Sequence, residues 1–210
     1  MILQEEHEHL FRGAFATTGA NGARSPVTTG ATKRSEKDGV HVLPDGVFII
    51  DTETVEGYAV KLNDEQGIKD LMRLKDRDFN SGKVFTLVPE SPQTISNYAI
   101  ISKPAQLLID RYIPGELTII LPKNPNFCHY YYDHFPTIGI RIPDYAPFQK
   151  ILKQTGPLLL TSANRKGGTP RSITGHLPST IIDYTGKTPK ILRQGNLRIN
   201  LPQLPKASNH

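Results

Sequence analysis

Short apolar runs rich in β-branched residues recur between residues 47 and 195 and alternate with stretches of helical periodicity. That alternation constrains the fold more than any other feature, because it is the habit of a sheet flanked by helices. The strands it predicts are VFII (47–50), KVFTLV (83–88), ELTIILP (116–122), TIGIRIP (137–143), PLLLT (157–161), STIIDYT (179–185) and PKILRQG (189–195). The last two are spaced like a hairpin, with Gly186 in the turn. Helical spacing marks 63–77, where Asn63 or Asp64 can cap and Ile68, Leu71 and Met72 recur on one side. One or two helices are expected within 96–113 around Pro104, and another at 146–156 with Gly156 at its C-terminal end.

Residues 1–40 lack this texture. Gly, Ala, Thr and Ser dominate them with scattered charges, too little apolar surface to offset chain entropy, so they read as a low-complexity segment without a packed core. The organisation expected is therefore 1–40 as a loose N-terminal segment, 41–200 as one α/β domain and 201–210 as a tail. The 17 Pro and 17 Gly of the 210 residues agree with a loop-rich chain.

A formal charge of +5 favours polyanionic partners such as nucleotides or RNA. The single cysteine, Cys128, excludes an intramolecular disulfide and suits a reducing compartment. No run approaches the roughly 20 apolar residues of a membrane span, and the polar start MILQEEHEHLF is unlike a signal peptide. A cytoplasmic protein with no membrane partner is the expectation.

Several residue groups carry candidate chemistry. Lys75 falls on the apolar stripe of the 63–77 helix where it leaves the core, with Arg77 two residues later. Such a pair either converges on one anion, as point charge and bidentate fork, or is a solvated charge pair at a helix end. Thr52 and Thr54 follow a buried strand, at the edge where open α/β sheets present ligand contacts, although threonine is also an ordinary strand residue. Arg141 interrupts an apolar strand before a proline, so its charge must meet a carboxylate, a ligand anion or solvent. Ser162 and Asn164 follow PLLLT on what reads as a loop beyond the strand, suited to phosphate or base contacts or to a plain turn. Ser179 and Arg193 repeat the pattern of hydroxyl or cation beside an apolar strand.

Other arrangements are excluded. Neither G-x-x-x-x-G-K-[ST] nor G-x-G-x-x-G occurs, so there is no P-loop and no dinucleotide fingerprint. CHYYYDH (128–134) matches no zinc spacing and reads as a tyrosine-rich solvent loop, and no metal ligands are assigned.

The ordered set TETVEG (52–57), KDR (75–77), PGELTIIL (114–121), IGIRIP (138–143), PLLLTSANRKGG (157–168), STIID (179–183) and ILRQG (191–195) resembles the YrdC/Sua5 family of threonylcarbamoyl-AMP synthases over roughly residues 43–196. The resemblance implies an α/β fold, a YrdC-like twisted open mixed sheet with flanking helices and a positively charged concave face. It implies a nucleotidyltransferase that joins L-threonine, bicarbonate and ATP into threonylcarbamoyl-AMP and pyrophosphate, for t6A modification of tRNA. Mg2+ would accompany ATP, weak tRNA or RNA binding would fit the charge, and the product would pass to a t6A transferase complex. The family's Lys-x-Arg and Ser-x-Asn motifs fall on Lys75, Arg77, Ser162 and Asn164. Its nucleotide and substrate positions fall on Thr52, Thr54, Thr118, Arg141, Ser179 and Arg193.

Two departures stand out. Where the family usually has Pro-Thr-Asp-Thr-Val-Tyr-Gly-Leu this chain has DTETVEGY, so Asp51 replaces the proline, Glu56 the aromatic residue and Tyr58 the leucine. Glu56 would weaken anion binding unless it points away or meets a cation. The stretch between Asn164 and Ser179 has no room for the helix and strand usual there, so either one sheet edge is missing or Arg165, Lys166 and Arg171 close the site differently. The competing readings are a non-catalytic nucleotide- or RNA-binding relative and a carbamoyl-transfer module like that of hydrogenase-maturation proteins.

Overall fold

The computed structural model describes residues 40–43, 46–164, 168–172 and 174–199. The segment before residue 40, Arg165, Lys166 and the tail after residue 200 lie outside them. Among the described residues, nine strands form one mixed open sheet: β1 (Val40–Val42), β2 (Phe48–Ile50), β3 (Gly57–Lys61), β4 (Thr86–Val88), β5 (Leu117–Pro122), β6 (Thr137–Ile140), β7 (Leu158–Ser162), β8 (Thr180–Asp183) and β9 (Lys190–Arg193). Their order is β1-β2-β3-β7-β4-β6-β5-β8-β9. Only the β4–β6 and β5–β8 pairs are parallel.

Each expected strand is present, trimmed by one to three residues, except that β7 runs one residue past its expected end, to Ser162. Two were not anticipated, β1 and β3. β3 (GYAVK) has one β-branched residue, and its strand character comes from its neighbours, since it lies between β2 and β7 with Tyr58 opposite Thr161 and Val60 opposite Leu159.

The α-helices are α1 (Glu65–Leu74), α2 (Ile95–Tyr98), α3 (Lys103–Tyr112) and α4 (Ala146–Thr155). The Asp64 side chain caps α1 by accepting from the Gly67 amide at 2.8 Å. The 96–113 stretch breaks before Pro104, which sits in the first turn of α3 where no amide is needed. Gly156 ends α4 with φ +73, a conformation that suits glycine.

The tyrosine-rich stretch corrects the sequence reading. Tyr131 and Tyr132 are buried, not solvent-facing. The Tyr131 hydroxyl accepts from the Phe85 amide at 3.0 Å and the Tyr132 hydroxyl donates to the Phe85 carbonyl at 3.1 Å. A phenol can satisfy a backbone group while its ring fills core volume, so tyrosine counts do not signal a wet loop.

Register assigns the two faces of the sheet, because alternate strand residues point to opposite sides. Leu159, Leu87, Ile140, Ile119 and Ile182 lie opposite one another across β7, β4, β6, β5 and β8. They join the core with Ile68, Leu71, Ile109, Phe148 and Ile151 of the helices. Their strand neighbours Leu160, Thr86, Gly139, Thr118 and Ile181 therefore share the other face. Gly139 puts no side chain there, which leaves the middle of that face open.

Candidate active site

The site is built on this second face. Leu160, Ser162, Thr86, Thr118, Ile181 and Arg141 line one cavity of about 710 Å3, its open mouth included. The site therefore spreads across a sheet face rather than along the carboxyl ends of parallel strands, because neighbouring strands here run mostly antiparallel.

Lys75 and Arg77 reach it through the end of α1. Lys75 is the C-terminal cap residue. Asp76 follows in the left-handed conformation at φ +47. The Arg77 amide donates to the Met72 carbonyl at 2.9 Å and the Asp76 amide to the Arg73 carbonyl at 3.1 Å. These two bonds are a Schellman turn, with aspartate in the place glycine usually takes. The turn leaves Lys75 6% exposed, its Nζ donating to the Ser162 carbonyl at 2.9 Å and to the carbonyl and side-chain oxygens of Asn164. Burial, with help from neighbouring Arg77, lowers its pKa to about 8. Arg77 lies against the Phe85 ring at 5.0 Å, borders the cavity and forms no ion pair among the described residues. Burial also makes its charged form costlier.

Ser162 is the last residue of β7 rather than a loop residue. Its hydroxyl donates to Asn164 Oδ1 at 2.5 Å, and the Asn164 amide donates to the Gly168 carbonyl at 2.7 Å. Ser162 and Arg77 border both the main cavity and an adjoining lobe edged by Lys75, Lys83 and Asn164.

The loop 51–56 closes one wall. Thr52 Oγ1 donates to the Val55 carbonyl at 2.7 Å and accepts from the amides of Thr54 and Val55, folding the loop around itself. Thr52 borders the cavity. Thr54 does not; it is fully buried and its hydroxyl accepts from Arg141 Nη2 at 2.7 Å. The same nitrogen is 2.9 Å from Glu53 Oε1, so the Arg141 charge meets a carboxylate. Glu53 was not singled out from the sequence as a functional residue.

On the far wall Thr118 and Ser179 share a hydrogen bond at 2.8 Å. Arg193 crosses from β9, donating through Nε to the Ser179 carbonyl at 2.9 Å and through Nη2 to the Ser179 hydroxyl at 3.1 Å. Burial and the nearby Arg141 both disfavour its charged form. Gly195 allows this approach: a Cβ there would lie 2.3 Å from the Pro178 carbonyl oxygen.

The two departures at 51 and 56 meet a common partner. Arg171 Nη2 is 2.7 Å from Glu56 Oε1 and 3.6 Å from Asp51 Oδ1. The Glu56 amide donates to the Arg171 carbonyl at 2.8 Å, and Ser172 and Thr174 hydroxyls donate to the carbonyls of Thr54 and Glu53. No helix or strand lies between Asn164 and Thr180 among the described residues; the segment instead lies along loop 51–56.

Thus Thr52, Arg77, Thr118, Arg141, Ser162, Ser179 and Arg193 border one cavity, Lys75 and Asn164 border its side lobe, and Thr54 supports Arg141 from behind. Hydroxyls and guanidiniums converging on one cavity suit an anionic ligand. Fold and site together define an α/β domain with a cavity lined by guanidiniums and hydroxyls on one face of its sheet. Residues 42–174 match the Sua5/YciO/YrdC family model, described as "Telomere recombination", and the chain belongs to that family. The human threonylcarbamoyl-AMP synthase is 28% identical over 148 residues, 70% of this chain and 52% of that one. The crystal structure of P. abyssi Sua5 complexed with L-threonine superposes with a TM-score of 0.62 at 25% identity, covering 71% of this chain and 50% of that one. The E. coli YciO crystal structure gives 0.62 at 24% identity, covering 72% and 84%. The chain thus spans about half the length of the human and P. abyssi proteins.

Proposed function

We propose that this chain is an L-threonylcarbamoyladenylate synthase, which forms threonylcarbamoyl-AMP and pyrophosphate from L-threonine, bicarbonate and ATP. The observation that supports it most is the convergence of Arg77, Arg141 and Arg193 with the hydroxyls of Thr52, Thr118, Ser162 and Ser179 on one cavity. The names of the human and P. abyssi relatives supply the substrate class.

The chemistry needs such a lining. The threonine amine and bicarbonate condense to a carbamate with loss of water; a carbamate oxygen then attacks the α-phosphorus as the bond to the β-phosphate oxygen breaks. No protein nucleophile is required, so the work is positioning anions and neutralising the charge that gathers on phosphate. Arg77 would take the triphosphate, since its guanidinium is uncommitted among the described residues. Ser162 and Asn164 would position the reacting phosphate and carbamate, held in place by Lys75. Thr52, Thr118, Ser179 and Arg193 would hold nucleotide and threonine, and Thr54 would act through Arg141. Mg2+ would enter with ATP, because divalent ions bridge phosphates without a full protein cage, and it would neutralise charge on the leaving group. The product would serve t6A formation on tRNA through a separate transferase complex, with weak RNA contacts through the chain's basic excess. No helix among the described residues is long and apolar enough to cross a membrane, and we place the protein in the cytoplasm.

A second reading rests on Lys75, whose ammonium is committed to oxygens of Ser162 and Asn164 rather than turned to the cavity. That arrangement also suits a protein that binds nucleotide or RNA without turning it over. Pyrophosphate release from ATP, with threonine, bicarbonate and Mg2+ each omitted in turn, decides. Release that requires both threonine and bicarbonate supports the synthase; ATP binding without release supports the binding protein.

A further inference from the structure

The cavity holds one conspicuous mismatch. The polar part of its lining is cationic and hydroxylic except for Glu56, whose carboxylate side chain is only 17% exposed and sits in the wall. Asp51 lies behind it, 14% exposed. A carboxylate among anion-binding groups opposes the ligand's charge, and low exposure keeps water from screening it. Both acids point at Arg171, which is half-exposed and comes from outside the sheet.

The position of Arg171 is fixed by backbone. Its carbonyl accepts from the Glu56 amide, while the Glu56 carbonyl accepts from the Ala163 amide at 2.8 Å, so residue 56 is bracketed between the end of β7 and this segment. Ser172 on Thr54 and Thr174 on Glu53 repeat the attachment on the following turns of chain. His176 Nδ1, 2.7 Å from Glu116 Oε1, ties the segment down again before Ser179.

We propose that Arg171 is a charge-compensating positioning residue: it straps residues 168–172 along loop 51–56 and neutralises Glu56 and Asp51, so that the cavity keeps its affinity for a polyanion. This rests on the nucleotide reading for the identity of the ligand, but the compensation itself requires only an anion. It explains why two acids and one arginine occur together here. Arg171 acts through Glu56 and does not touch the ligand.

Calorimetric titration of the full chain with inorganic pyrophosphate, and separately with ATP and Mg2+, tests it. Arg171→Gln should weaken both ligands about tenfold, and adding Glu56→Gln should return affinity to within about twofold of the parent, because the carboxylate that borders the cavity is then neutral and Asp51 lies behind it. The deficit of Arg171→Gln should shrink as ionic strength rises, which a purely structural loss would not do. Unchanged affinity in Arg171→Gln overturns the proposal, and so does a loss that Glu56→Gln fails to restore. If Arg171→Gln does not fold, Glu56→Gln alone decides: it should tighten pyrophosphate about threefold, and unchanged or weaker binding overturns the idea. Pyrophosphate binding without ATP binding, with the same pattern across variants, would sink the nucleotide reading and leave the compensation standing. Binding of neither ligand to the parent overturns both.

Discussion

Lys75 Nζ lies 2.9 Å from the carbonyl oxygen of Ser162, 87 residues away in sequence, and so ties the end of α1 to the end of β7. The bond is one of three that the ammonium donates, the other two going to Asn164. Two motifs that look independent in the sequence are thus one structural unit, and the shape of the Ser-x-Asn turn depends on a buried charge. Lys75→Met should keep the stem's packing and lose these bonds. We expect pyrophosphate release to fall about a hundredfold or more, as when a preorganised donor is removed. Stability should drop by about 1–3 kcal/mol, since three carbonyl-type acceptors lose their donor. Parallel pyrophosphate assays and urea melts check both.

The same lysine gives the pH dependence. Its pKa is lowered from 10.5 to about 8, chiefly by burial. The unfolded chain therefore binds more protons than the folded one between about pH 8 and 10.5, and the lysine's contribution makes stability rise with pH across that window. Function should run the other way. Loss of the ammonium near pH 8 releases one donor from the turn, so ATP affinity should step down there, and Lys75→Arg, which stays charged, should lack the step. Titrations of affinity from about pH 6.5 to about 9.5, roughly one and a half units on either side of the transition, read it out.

Arg77 separates binding from folding. It borders both lobes and makes no ion pair among the described residues, so its removal leaves no partner charge stranded. Arg77→Ala should weaken ATP about tenfold to a hundredfold, the loss of a charge-assisted bidentate contact, and change the melting temperature little. A comparable loss of stability would mean that the guanidinium serves the fold through its contact with Phe85.

What the sequence made legible, and what it hid, follows from the range of each signal. The β-branched runs and the cap at Asp64 are local, and they mark β2, β4 to β9 and α1 within a few residues. β3 was hidden because its strand character depends on β2 and β7. The buried Tyr131 and Tyr132 were hidden for a similar reason, since their hydroxyls are satisfied by Phe85, 46 and 47 residues away. In the site, Ser179 was visible as a hydroxyl beside a strand and Thr118 only through the family resemblance, and that both face one cavity depends on the parallel pairing of β5 with β8. The Schellman turn under Lys75 carries aspartate rather than glycine, so no sequence cue announced it. Glu53 and Arg171 gave no local signal beyond their charge, because each matters through a partner more than 80 residues distant.

Arg141 and Glu53 form a nearly buried pair, with side chains 7% and 16% exposed, and Glu53 Oε2 has no hydrogen-bond partner among the described residues. Breaking such a pair from one side strands a charge. Arg141→Met should cost about 3–5 kcal/mol, while Arg141→Met with Glu53→Gln should recover a substantial part, because the remaining group is then neutral. Denaturant melts of the four proteins give the coupling. Nucleotide affinity should fail to recover in the double variant, since the cavity has still lost a guanidinium.

Gly195 tests whether the far wall must keep its shape. A Cβ at this position would lie 2.3 Å from the Pro178 carbonyl oxygen and 2.9 Å from the Thr180 amide, both of them backbone atoms that cannot rotate away. The Gly195 amide also donates to Thr180 Oγ1 at 2.9 Å, fixing the chain just after Arg193. Gly195→Ala must therefore push β9 away from residues 178–180, and the Arg193 bonds to Ser179 are the first to lengthen. We expect a loss of about 1–3 kcal/mol from overpacking, together with ATP affinity reduced by about fivefold to tenfold as Arg193 leaves the cavity wall. Urea melts and ATP titrations of the same preparation separate the two effects. Lost stability with unchanged ATP affinity would show that the β9 wall supports the sheet without shaping the site.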